Sequence, residues 1–223
     1  MKWWSIGIVC VVFGIVYLVY EQSNQPINME VSGDVVLANN LSEMSKKAPI
    51  IVEGSFVKLD SSENGARNPK NPSKPASDIY NEVKIYQFQV DDELKGDVAK
   101  EAIEVGYEYS MELEHLTSAK KVRIQDPLWV KPKMGKNYIL FLNPPDQYTH
   151  YYTSAFTPSR IEVNSDSRVK LILPKRGIQK HQFERDGKRF NVSMEGFPTD
   201  YTNTISGKDV GEIEKIIKQE ITK

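Results

Sequence analysis

The residues best suited to chemistry gather in three places along the chain. Glu112, Glu114 and His115 lie within four positions of one another, the composition of an acid–base or metal-binding cluster. On a strand, however, Glu112 and Glu114 share the polar face while His115 points with Leu113. A solvated strand face that pairs with the basic stretch from Lys120 to Lys136 explains the same residues. The second place is residues 148–156, Tyr-Thr-His-Tyr-Tyr-Thr-Ser-Ala-Phe. As a strand it would put Tyr148, His150 and Tyr152 on one face and Tyr151 on the other. Sugars and bases stack on such platforms, although aromatics are also ordinary strand residues. The third is residues 168–189, where Arg168, Lys170, Lys175, Arg176, Lys180, Arg185, Lys188 and Arg189 face only Glu184 and Asp186. That charge suits lipid headgroups or an acidic polymer, or simply protects an exposed sheet edge from aggregation. The candidate binding residues are therefore Tyr148, His150, Tyr151, Tyr152, Lys175, Arg176, Lys188 and Arg189.

Known catalytic patterns are absent from the sequence. There is no G-x-x-x-x-G-K, G-x-G-x-x-G or G-x-S-x-G. None of the three histidines, His115, His150 and His181, belongs to H-E-x-x-H or is followed two residues later by Lys. The sole cysteine, Cys10, lies in an apolar run, which excludes thiol chemistry and internal disulfides elsewhere. The expectation is a protein that is not an enzyme, with no metal and no cofactor. A net charge of −1 over 223 residues gives no overall field toward nucleic acid, and none is expected as a partner.

Residues 3–20 carry no charge and would span roughly 27 Å as a helix, close to the ~30 Å of bilayer hydrocarbon. Trp3 and Trp4 at one end, with Tyr17 and Tyr20 at the other, suit the two interfaces. Lys2 precedes the run and Glu21 follows it, so the positive-inside bias puts the N-terminus in the cytoplasm and the remainder outside. A cleavable signal would end in small residues, and the run ends Tyr-Leu-Val-Tyr. Lipidation at Cys10 would want a small residue where Val9 stands. Residues 1–20 are thus expected to be an uncleaved single-pass anchor in the cell membrane. An exported domain without disulfides leans toward a bacterial source.

Residues 21–40 read as a juxtamembrane linker, and residues 41–223 as one extracytoplasmic β-rich domain. A short helix is expected over residues 41–47, capped by Asn40 or Ser42 and ended by Ala48-Pro49. Strands are expected over residues 50–57, with Gly54 at a bulge or close approach, and over residues 79–90, with a frame shift at Ile85-Tyr86. Residues 61–77, which hold Pro69, Pro72 and Pro75, read as a flexible loop. Ile103, Val105, Tyr107, Tyr109, Met111 and Leu113 alternate with polar residues as a half-buried strand does. Tyr138 to Leu142 is a continuous apolar run fit for a central strand. Hairpins are expected around residues 164–167 and around Asp186-Gly187. A terminal amphipathic helix is expected from about Lys208, with Val210, Ile213, Ile216, Ile217 and Ile221 on one face and Ser206 and Asp209 as a capping-box-like start.

The order Ala48…Ile50-Ile51-Val52-x-Gly54, Tyr86-x-Phe88-x-Val90…Leu94-Lys95-Gly96, Ile103-x-Val105 and Asp126-Pro127…Gly135-x-x-Tyr138-Ile139-Leu140-Phe141-Leu142 resembles exported bacterial domains. These are similar to the netrin and metalloproteinase-inhibitor module. The resemblance covers about residues 48–143 and implies a small OB-like β-barrel, with one helix before its first strand and one at the C-terminus. The inhibitory animal members rely on an N-terminal cysteine and disulfides that this chain lacks, so the resemblance implies a fold. The functional expectation is a membrane-anchored binding or interaction module. Its partners would be an anionic envelope polymer, lipid headgroups or another envelope protein. An enzyme with a dispersed site and an envelope assembly factor are the competing classes.

Overall fold

A computed structural model describes residues 25–32, 35–98, 101–114, 121–185 and 187–222. The expected membrane anchor, Cys10 and His115 lie outside them. Among the described residues no helix is long and apolar enough to cross a membrane.

The chain is mainly β. Its elements are β1 (Ile27–Val31), α1 (Leu41–Lys47), β2 (Ile50–Asn64), β3 (Arg67–Asn68), β4 (Asn71–Pro75), β5 (Glu82–Lys95), β6 (Ala102–Glu114), β7 (Lys121–Gln125), β8 (Asn137–Asn143), β9 (Thr153–Ser154), β10 (Arg160–Val163), β11 (Val169–Leu171), β12 (Ile178–Arg185), β13 (Lys188–Glu195) and α2 (Val210–Ile221). They divide into two units.

The smaller unit is a three-stranded sheet in the order β1-β13-β12. β12 and β13 form the expected hairpin, turning at Gly187 with φ 68°, and Phe183 stacks on Phe190 at 5.3 Å. β1 runs parallel to β13, with the Asn191 amide donating to Asn28 at 2.9 Å. Residues 27–31, expected as linker, are therefore paired. Their short alternation, Ile27, Met29 and Val31, is the pattern of a strand half-buried on one face.

The larger unit is one curled sheet, a half-barrel in the order β11-β10-β8-β2-β5-β6-β7, with β9 attached to β8. Both faces are covered at β8, which explains its unbroken apolar run. Tyr138, Leu140 and Leu142 join Val52, Phe56, Tyr86, Phe88, Val105 and Tyr107 on the inner face. Ile139 and Phe141 join Ile51 and the helical residues Leu41, Met44, Ile213 and Ile217 on the other. Fully burying one such side chain contributes roughly 1.5–3 kcal/mol. Ile85 and Tyr86 are likewise both buried, on opposite faces. The frame shift read there reflects two-sided burial, and the extra residue sits across from it, between Leu59 and Ser61 of β2. Gly54 lies at a register shift as expected. A Cβ on it would meet the Gln89 carbonyl oxygen at 2.0 Å.

α1 starts at an expected cap, whereas α2 starts at Asp209 itself and not at a Ser206–Asp209 capping box. The Asn40 side chain accepts from the Glu43 N–H at 2.9 Å, and that of Asp209 accepts from the Gly211 N–H at 2.9 Å. Residues 61–77, expected as an irregular flexible loop, complete β2 and form the β3–β4 hairpin. They are organised by a polar side chain. The Asn64 amide donates to the carbonyls of Ala76 and Ile79, and its oxygen accepts from the N–H groups of Ala66 and Asn81.

The aromatic segment completes the curl. The Tyr152 N–H donates to the Glu104 carbonyl at 2.9 Å, and its carbonyl accepts from Gly106 at 2.9 Å. The next two residues are β9, which pairs with β8. The path β8-β2-β5-β6 therefore returns to β8 through residues 152–154.

Candidate functional site

Where that seam meets β6 there is a cavity of about 340 Å³. β6 contributes Tyr107 and Glu108, the β7–β8 connection Asp126 and Trp129, and the start of β10 Arg160. Each has a local reason to be there. Tyr107 follows the inward alternation of β6 and packs against Phe56 and Tyr86. Asp126 begins a turn in which its carboxylate accepts from the Leu128 N–H at 2.7 Å, and its carbonyl accepts from the Trp129 N–H at 3.1 Å. Trp129 is thereby set edge-on to Tyr109 at 4.8 Å. Arg160 opens β10 opposite Leu140, so its side chain enters a sheet with buried neighbours.

Arg160 is only 7% exposed. Its Nη2 donates to the Val130 carbonyl at 2.8 Å, and the guanidinium lies 4.5 Å from the centre of the Tyr107 ring. Among the described residues it has no ion pair. Glu162, the acidic residue of the same strand, is held by Lys133 at 2.9 Å. Two more donors are buried without a hydrogen-bond partner among the described residues, the Tyr107 hydroxyl and Trp129 Nε1. Native interiors rarely leave such groups unpaired, and each invites an explanation.

Acceptors lie elsewhere around the cavity. Burial pushes the Asp126 carboxyl above the usual carboxylate range, against the pull of its bond from Leu128. Glu108 keeps solvent contact at the rim and is raised by desolvation and then by Asp126 beside it. The cavity thus combines one buried cation, two free donors, two carboxylates and the aromatic walls of Tyr107, Trp129 and Tyr151.

The aromatic candidates separate. Tyr151 lines this cavity and is buried beside Val83, Ile85 and Gly106. Burial, then the Glu63 charge, pushes its hydroxyl up to about 12. His150 and Tyr152 border a second hollow of about 460 Å³ with Asp60, Gln87 and Glu104. His150 Nε2 is 3.6 Å from Glu104 there, both side chains being well exposed. Tyr148 lines neither hollow. Asp146 accepts from the N–H groups of Tyr148 and Thr149, which bends the chain out of the expected shared strand face.

The basic candidates fall in both units. Lys175 and Arg176 belong to the larger unit, Lys188 and Arg189 to the smaller. Arg176 donates to the carbonyls of Thr199 and Tyr201, so its guanidinium fastens a loop. Arg189 stands across from Glu184 in the hairpin register. In the Glu112–His115 cluster, Glu112 pairs with Lys121 at 3.1 Å across β6 and β7, as a solvated strand face does.

Sequence reasoning passed over Arg160, Trp129, Asp126 and Glu108 and took Tyr107 for core alone. Arg160 had one signal, a cation directly preceding an apolar strand in a stretch otherwise rich in turn residues. No protein-family model matches the chain, and no characterised protein matches it in sequence.

Proposed function

We propose that this chain is a non-enzymatic binding module held outside the cytoplasm by residues 1–20. One observation carries the binding part. Arg160, Tyr107 and Trp129 line a common cavity; among the described residues Arg160 has no ion pair, and the buried Tyr107 hydroxyl and Trp129 Nε1 have no hydrogen-bond partner. A bound small molecule would supply those partners. At about 340 Å³ the cavity falls in the ~300–1,000 Å³ range of small-molecule sites. The fold is read as OB-like, supported by the return of the curled sheet through residues 152–154. The anchor reading rests on the uncharged run of residues 3–20 and its aromatic ends.

The test uses the full chain in detergent, screened by thermal shift against soluble envelope fragments: neutral and acidic sugars, amino sugars and short peptides. At least one should stabilise the wild type and have no effect on Arg160→Gln. A panel without effect would refute the module. In parallel, protease added to intact cells should remove residues 25–222, and their full protection would refute the topology.

A second reading, an envelope-acting enzyme, has one observation in its favour. Asp126 and Glu108 are adjacent carboxylates, both raised, in a cavity with a buried cation. It predicts turnover of a fragment that the module would only bind.

A further inference from the structure

We infer that the cavity beside Arg160 takes a carboxylate-bearing, polyhydroxylated ligand of about one sugar ring, with the acid group on the guanidinium and hydroxyls toward Asp126 and Glu108. This rests on the binding-module reading and gives the site a ligand class.

An ion removed from water costs several kcal/mol unless it is paired, and among the described residues Arg160 has a carbonyl and a ring face but no carboxylate. Glu162 is occupied by Lys133. The planar guanidinium fork matches a carboxylate bidentately, and this arrangement is stronger than a neutral hydrogen bond. A ligand carboxylate would complete the pair.

The second step separates carboxylate from phosphate. Asp126 and Glu108 line the same cavity, so a phosphate, carrying up to two charges, would meet more repulsion than a singly charged acid. Those two groups instead accept hydrogen bonds from hydroxyls. The Tyr107 hydroxyl and Trp129 Nε1, buried in the wall without a partner among the described residues, favour a ligand that carries acceptors, as ring and hydroxyl oxygens are. An acidic sugar combines an acid, donors, acceptors and an apolar ring face to lie on the aromatic walls. The volume admits one ring and not an extended chain.

Trp129 is itself a reporter. Replacing Trp3 and Trp4 by Phe leaves it as the sole tryptophan of the full chain. The probes are glucuronate, glucuronamide (the amide in place of the acid) and glucose, with inorganic phosphate as the competing anion. Glucuronate should change Trp129 emission saturably. Glucuronamide and glucose should bind at least about tenfold more weakly, the loss of one charged hydrogen bond. Arg160→Lys should keep part of that preference and Arg160→Gln none. The probe series needs no variant at Arg160, so misfolding of either one leaves it decisive.

Equal affinity for the acid, the amide and glucose would overturn the ligand class while leaving the module standing. Phosphate binding more tightly than glucuronate would overturn it as well. No saturable response to any probe would overturn the inference, whereas the module reading falls only with the wider fragment panel.

Discussion

Tyr107→Phe should make the protein more stable, although Tyr107 lies in the aromatic core. The ring is 8% exposed and packs on Phe56 and Tyr86 at 6.1 and 6.2 Å, contacts that phenylalanine keeps. It also keeps the face over which Arg160 lies. Only the hydroxyl goes, and that group is buried with no partner among the described residues. A buried unsatisfied polar group costs roughly 1–3 kcal/mol. At the lower end of that range the gain is about 1 kcal/mol. For about 200 residues that raises Tm by roughly 2–4 °C.

The same hydroxyl makes an alkaline signature. Burial pushes it up to about 12, against an ordinary 10. Between these values the unfolded chain ionises and the folded one does not, so the stability it supports is complete below pH 10 and is lost as the pH rises toward 12. The full loss is roughly 2–3 kcal/mol. Tyr151 has a similar displacement, and Tyr86, Tyr138, Tyr152 and Tyr201 are raised by burial as well, so Phe at position 107 should remove part of the alkaline loss and leave the rest. Urea unfolding of the full chain and the variant at pH 7.5, 10 and 11.5, with m-values compared, measures both effects. A variant less stable by 1 kcal/mol at pH 7.5 would mean that the hydroxyl has a partner. An unchanged alkaline loss would mean that it is not the titrating group.

Gly106→Ala should destabilise by about 1–3 kcal/mol in urea, because the new Cβ would lie 2.4 Å from Cδ2 of the packed Tyr151 ring. As Tyr151 also walls the cavity, ligand-induced thermal shifts should shrink with it. Asn64→Ala strands the N–H groups of Ala66 and Asn81 and the carbonyls of Ala76 and Ile79. At about 1 kcal/mol for each of the stranded donors, it should cost roughly 2 kcal/mol, and limited proteolysis should then cut first within residues 66–78.

Apolar periodicity reports which face of a segment meets a core, and where that alone decides structure the sequence is readable. The alternation through Ile103, Val105 and Tyr107 and the unbroken run from Tyr138 to Leu142 became β6 and β8, one with an inward face and the other covered on both sides. The cap at Asn40 was readable because a single side chain satisfies a free N–H within one turn. Periodicity is silent where polar side chains organise the backbone. Residues 61–77 have no apolar alternation, yet Asn64 alone makes four hydrogen bonds to their neighbours and ends. It is silent again at the seam, where Tyr152 bridges β6 through two backbone bonds that any residue with a free N–H could make.

The site was missed for a related reason. Alternation placed Tyr107 correctly on the inner face, but position on a face does not say whether a hydroxyl finds an acceptor. That depends on which groups arrive from the β7–β8 connection, β9 and β10, far along the chain. Arg160 is the clearest case. In sequence it is one more cation beside a basic stretch, with exposed Arg168 and Lys170 soon after it. In the fold its register with Leu140 carries the charge into the sheet, where no carboxylate among the described residues meets it. Pairing register separates a buried cation that requires a counter-ion from solvated neighbours that do not. The residues chosen for their charge density, Lys175, Arg176, Lys188 and Arg189, are divided between two units, and at least Arg176 serves the fold. Charge density along the chain and charge burial in the fold therefore point to different residues, and only the second creates a demand that a ligand can meet.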